Sequence, residues 1–199
     1  MALGNKRNIL VGAAAVFLGP AGVETPATVD RATWVDTTTG ADAAGFWSAG
    51  YTQDGLEVAS DPSYGEVEVD QLLDAPVIFK DGMGFSISTT FAEATLLNLM
   101  IAWGQSPDTL TSTATEERLV MAGGALGDAP EERGLIAIGN GPKPVGSNSY
   151  SERFYHAYNV LSVEGSGHTL ARAEATVIPV TLRALPNDDG DYGVVVDNL

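Results

Sequence analysis

Two histidines, 26 carboxylates and no cysteine set the chemistry open to this 199-residue chain. Without cysteine there is no disulfide framework, thiolate metal site, iron–sulfur cluster or Cys nucleophile. A Ser or Thr nucleophile needs a positioned base. His156 falls inside a stretch with strand texture and His168 follows the turn Gly165-Ser166-Gly167, so neither stands in a nucleophile's context. PNDDGDYG (186–193) groups oxygen ligands, yet it lacks the spacing and terminal glutamate of a calcium-binding loop. Asp-Gly ahead of a strand is ordinary turn chemistry. GSGH and GNGPKPVG are neither a Walker loop nor a dinucleotide-binding turn. Some two of 26 carboxylates always stand at a glycosidase separation, but no spacing selects a pair. The expectation is no catalytic residue, no metal, no cofactor and no enzyme.

The carboxylates act instead as a field. They outnumber ten Lys and Arg and leave a net charge of -16. Nucleic-acid binders displace counterions with clustered Lys and Arg, whereas the basic residues here are scattered singly apart from Lys6-Arg7. Tight DNA binding is therefore not expected. In YGEVEVDQ (64–71) apolar and acidic residues alternate. If Val67 and Val69 face a core, Glu66, Glu68 and Asp70 form a comb on the opposite face. The plain reading of that comb is that it keeps a β protein soluble.

The elements that must position these residues are mostly strands, because short runs rich in Val, Ile, Thr and aromatics are punctuated by turn residues. RATWVDTT (31–38) reads as a strand, with Trp34 in sheet packing. Residues 39–50 form a Gly/Ala-rich loop carrying Phe46 and Trp47, which are buried either in their own chain or against a neighbouring subunit. Asp54-Gly55 is expected to turn the chain between two short strands. Asp81-Gly82 is expected to turn a second hairpin, with Phe85, Ile87, Thr89 and Phe91 on one face of its return strand. Thr90 and Glu93 form a capping box for one helix. Leu96, Leu97, Leu99, Met100 and Trp103 make its apolar stripe, with Trp103 in the core, and Gly104 stops it. Strands follow at 115–123 and 133–140, then the two longest at 150–163 and 169–183, then a short VVVD. The fold class is mainly β: an antiparallel sandwich or barrel with one flanking α-helix, read as one domain over residues 1–199.

Near the start, Lys6-Arg7 ahead of ILVGAAAVFLG has the outline of a secretory signal. Ile9, Val11, Val16 and Phe17 favour strands and Gly19-Pro20 closes the run, so a buried strand or arm is the preferred reading. The apolar run is broken by Pro20 and is shorter than the roughly 20 residues that span a bilayer, so no membrane insertion is expected.

The order and spacing of three stretches, LVGAAAVFLGPAG (10–22), VEVDQLLDAPVIFKDGMGFSISTTFAEATLLNLMIAWG (67–104) and ATVIPVTLRALPNDDGDYGVVV (175–196), resembles the major tail tube proteins of long-tailed bacteriophages, of the non-contractile, siphophage type. The resemblance implies the phage tail tube fold, a β-sandwich with one helix. Six copies would close into a homohexameric ring, and rings would stack into a tube through which DNA is ejected. It implies a structural virion protein assembled in the host cytoplasm. Its partners would be itself, tape-measure, tail terminator and baseplate proteins, with DNA passing transiently and without specificity. On this reading Glu66, Glu68 and Asp70 are candidates to face the lumen. Phe46 and Trp47, in a loop of about 36–50, and an N-terminal arm of about 1–8 are candidates to contact neighbouring subunits. Since the sequence stops after VVVDNL, the immunoglobulin-like C-terminal domain of some relatives is expected to be absent. Two alternatives stand beside it: a secreted or surface β-sandwich binding module that presents Trp34, Phe46, Trp47 and Trp103 to a ligand, and the inner tube of a contractile tail or secretion system.

Overall fold

The computed structural model describes residues 6–25 and 45–198. The expected strand 31–38 with Trp34, residues 1–5 of the arm and residues 36–44 of the loop lie outside the described residues. In chain order the elements are β1 (Ala15–Pro20), β2 (Trp47–Ser48), β3 (Thr52–Val67), β4 (Val77–Phe91), α1 (Leu96–Ala102), β5 (Leu110–Ser112), β6 (Glu117–Leu119), β7 (Arg133–Asn140), β8 (Glu152–Ser162), β9 (Ile178–Leu185) and β10 (Gly193–Asn198). The protein is mainly β, with α1 flanking the strands, as the texture of the sequence predicts.

All strands except the β5–β6 pair join one antiparallel sheet, in the order β2-β1-β7-β8-β9-β4-β3, with β10 also beside β8. Strand β8 shapes the fold. Its first half, Glu152–Ala157, pairs with both β7 and β10, whereas Asn159–Ser162 pairs with β9, with Val160 also opposite Arg133 at the start of β7. The change falls at a bulge, where Tyr158 and Asn159 stand opposite the single residue Gly134. A bulge bends its strand and adds twist. Here it also shifts the phase of burial, so that Ala157 and Val160 enter the same core. The two halves of the sheet then face each other as a sandwich. Val16 and Leu18 of β1 and Leu135 and Ala137 of β7 pack with Ile87 and Phe91 of β4 and Val180 and Leu182 of β9.

The first half is covered on its other face too. Ile136, Ile138, Phe17, Phe154 and Phe46 form a second cluster there. Six consecutive residues of β7 are therefore buried, and a strand buried on both faces reads as an unbroken apolar run. The N-terminal run supplies a buried strand, as preferred: Val16, Phe17 and Leu18 are fully enclosed in β1.

Three local expectations change. Neither Asp-Gly reverses the chain, because β3 and β4 run straight through them as the longest strands, 16 and 15 residues. Asp54 and Gly55, at φ 65 and 81, form a bulge between the pairs Gln53↔Thr90 and Leu56↔Thr89. Asp81 is the extra residue of another, where Ser63 pairs with Gly82 but Tyr64 with Lys80. At Asp54-Gly55 the left-handed geometry that the dipeptide favours serves a bulge as well as a turn, and the reversal comes later, at residues 68–76. Correspondingly, β9 begins only at Ile178 rather than near 169.

The helix cap also moves. Thr95 Oγ1 accepts the Asn98 N–H at 3.1 Å, while Glu93 accepts the N–H of Tyr51 at 2.8 Å instead of closing a capping box. Pairing of Thr90 and Phe91 with Pro179 and Ile178 holds them in β4, so the helix starts later. At its end, Gly104 (φ 61) and Gln105 donate to the carbonyls of Ile101 and Met100, a Schellman stop. Trp103 is half-buried rather than core: its indole N–H donates to Ser166 O at 3.2 Å and its ring stacks on His168.

Candidate functional site

Strand β9 pairs with β4 only from Phe85 to Phe91, so among the described strands residues 77–84 of β4 and 61–67 of β3 pair only with each other. A two-stranded ribbon is marginal in water by itself. Its faces follow from register. Leu56 and Val58 stand opposite Thr89 and Ile87 on the core face. Alternation along β3 then carries Pro62, Tyr64 and Glu66 on that face, and Ser63, Gly65 and Val67 on the other. Gly65 makes room for Phe79, whose ring lies 2.5 Å from where a Cβ would be.

The acidic comb is corrected on two counts. Its phase is reversed: Glu66 continues the core-side face while Val67 lies on the outer one, and Val67 and Val69 are 44% and 38% exposed rather than packed inside. Strand β3 ends at Val67, so Glu68 and Asp70 belong to the connection and not to a strand face. All three carboxylates are exposed. Alternation fixes a period but not which phase meets the core; that is decided by Val58 and Ile87, further down the ribbon. Around these acids stand exposed apolar side chains: Leu72, Leu73, Val77, Ile78 and Phe79.

Phe46 is also corrected. It is fully buried within its own chain and offers no surface to a neighbouring subunit. The cross-strand pair Gly19↔Gly134 leaves a bare patch between β1 and β7, and Phe46 fills it, with ring atoms 2.6 and 3.0 Å from where the two Cβ atoms would stand. Trp47 is half-buried, pairs with Leu18, and lies 6.0 Å from the Arg133 guanidinium. The two strand glycines were the sequence signal for this site, since glycine inside a strand marks a close approach.

Several other polar groups are engaged by neighbours within the chain. His156 is 4% exposed, with Nδ1 2.6 Å from Thr25 Oγ1 and the Tyr158 ring edge-on at 5.1 Å. Burial pushes its pKa down to about 4, so the ring is neutral. Arg133, also buried, donates to the carbonyl of Gln105; desolvation lowers its pKa and the nearby Glu131 opposes that. Arg153 grips Asp197 through Nε and Nη2 at 2.6 and 2.7 Å, and this hydrogen bonding holds the carboxyl below its ordinary range. In PNDDGDYG the side chain of Asn187 accepts the N–H groups of Asp189 and Asp191, which is turn chemistry. Among the described residues no group of three His, Asp or Glu could hold a metal ion, and no helix is long and apolar enough to cross a membrane. No protein-family model matches the sequence, and no curated protein matches it.

Proposed function

We propose that this protein is a self-assembling structural subunit, the building block of a phage tail tube. The observation that carries the reading is the β3–β4 ribbon. It leaves the sandwich with apolar side chains exposed on both faces, and such a ribbon becomes stable only when covered. In a tube of identical subunits the cover is another copy. The antiparallel sandwich with one helix agrees with the fold that the sequence resemblance implies. The charge agrees as well, because a net charge of -16 on every copy makes a wall that repels phosphate and lets DNA slide. Screening over a Debye length of roughly 8 Å confines that repulsion to the bore's surface layer. Tape-measure, terminator and baseplate proteins would be the partners of such a tube in the virion.

Negative-stain microscopy of the purified protein across a range of salt tests this. Rings or tubes are expected, with subunit interfaces above roughly 2,000 Å². Replacing residues 67–77 with a two-residue turn should leave a folded protomer that forms neither. A stable monomer at high concentration in every salt condition refutes the reading.

A further inference from the structure

Resting on the self-assembly reading, we propose that the tip of the β3–β4 ribbon docks on the N-terminal corner of a second copy. At that corner residues 7–14 run beside 139–143: the Asn140 side chain donates to Val11 O at 2.7 Å, and the Lys143 N–H donates to Arg7 O at 3.3 Å. Residues 6–23 and 134–151 contain Lys6, Arg7 and Lys143 and no carboxylate, in a chain that is otherwise strongly acidic. Ile9, Val11 and Val145 are 65%, 71% and 96% exposed among them. Beside them opens a cleft of about 450 Å³ whose lining includes Ala13, Ala14, Ala15 and Gly139 together with the carboxylates of Glu93 and Glu152.

The tip has the opposite sign and the same greasiness. From Glu66 to Phe79 it carries Glu66, Glu68, Asp70 and Asp74 and no cation, and Leu73 at its end is fully exposed. The leucines fit the alanine-lined cleft, and the flanking acids meet Arg7 and Lys143.

One protomer cannot make this contact with itself. Tyr51, Thr52 and Glu93 line the same cleft, which sets the corner beside the Phe91 end of β4. The tip lies beyond the Val77 end, about 45 Å away at 3.3 Å per residue. Two unlike, matching surfaces at opposite ends of a subunit make a heterologous contact, which passes from copy to copy. This takes Glu68 and Asp70 out of the bore and into the joint between subunits.

The chain has no cysteine, so cross-linking gives a clean test. Proteins carrying Leu73→Cys and Val11→Cys, mixed under assembly conditions and oxidised, should form the mixed disulfide in preference to either homodimer. Leu73→Cys paired with Leu170→Cys, on another exposed loop, should not. Separately, Glu68→Lys with Asp70→Lys, or Arg7→Glu with Lys143→Glu, should each raise the critical concentration for assembly at least tenfold. All four changes in one chain should bring it back to within threefold. Circular dichroism checks that every variant folds. Normal assembly by the reversed tip, or mixed disulfides no more abundant than the Leu170→Cys control, overturns the contact while leaving the tube reading standing. Failure of the unaltered protein to assemble at all overturns the tube reading, and the contact with it.

Discussion

Acid should weaken the protomer through His156, by an amount set by where the ring sits. Its imidazole is enclosed in β8 against Thr25, Phe46 and Tyr158, and burial lowers its pKa from 6.5 to about 4. Between those values the unfolded chain binds a proton that the folded chain refuses. The contribution to stability is therefore intact above pH 6.5, falls as the pH drops towards 4, and is flat below that. At about 1.4 kcal/mol per pH unit the interval is worth about 3 kcal/mol, a large part of the roughly 5–15 kcal/mol that holds a domain together. Urea unfolding followed by tryptophan fluorescence, at several pH values from 7.5 to 4, would measure it in the wild type and in His156→Asn. Asparagine keeps a polar group near Thr25 but does not titrate. Asp197, held low by Arg153, titrates in both proteins and cancels from the difference. The variant is expected to be the less stable at pH 7.5, and the gap should shift in its favour by about 3 kcal/mol on reaching pH 4. A gap independent of pH would refute the reasoning.

Gly19→Ala should lower stability by about 1–3 kcal/mol, read as a fall in melting temperature, because the new methyl would stand 2.6 Å from the Phe46 ring. Thr95→Ala should cost about 1 kcal/mol in chemical denaturation through loss of the helix cap, while Thr90→Ala, on the half-exposed outer face of β4, should cost less than about half of that. Asp197→Asn removes the partner of Arg153 at a site where both side chains keep about a quarter of their exposure. Its effect should stay below about 1 kcal/mol and shrink further in 1 M salt, which a melting series at two ionic strengths would show.

The strands were legible where local composition alone decides them. The apolar runs of β1 and β7 are buried strands, and Phe85, Ile87, Thr89 and Phe91 share a face as their spacing predicts. What was not legible depends on a partner strand far away in sequence. Asp54-Gly55 looks the same in a turn and in a bulge, and only continuous pairing of β3 with β4 selects the bulge. Thr90 has the chemistry of a helix cap, yet pairing with Pro179 keeps it in a strand and passes the cap to Thr95. Phe46 looked like a loop aromatic because Gly19 and Gly134, which together form its seat, lie 115 residues apart in the chain.

The ribbon shows the limit most clearly, since residues 67–79 are apolar enough for any single-chain rule to bury them. Reading Val67 and Val69 as core followed that rule, and it failed because β9 stops pairing at Phe85 and, among the described residues, no strand covers them. A core residue and an interface residue share the same composition and differ only in which chain provides the covering surface. Apolar side chains that project beyond the last strand able to shield them are therefore not explained by the fold of one chain, and this is why the proposed function rests on them. On the proposed assembly, the carboxylates interspersed among them would keep that surface soluble until a complementary copy arrives.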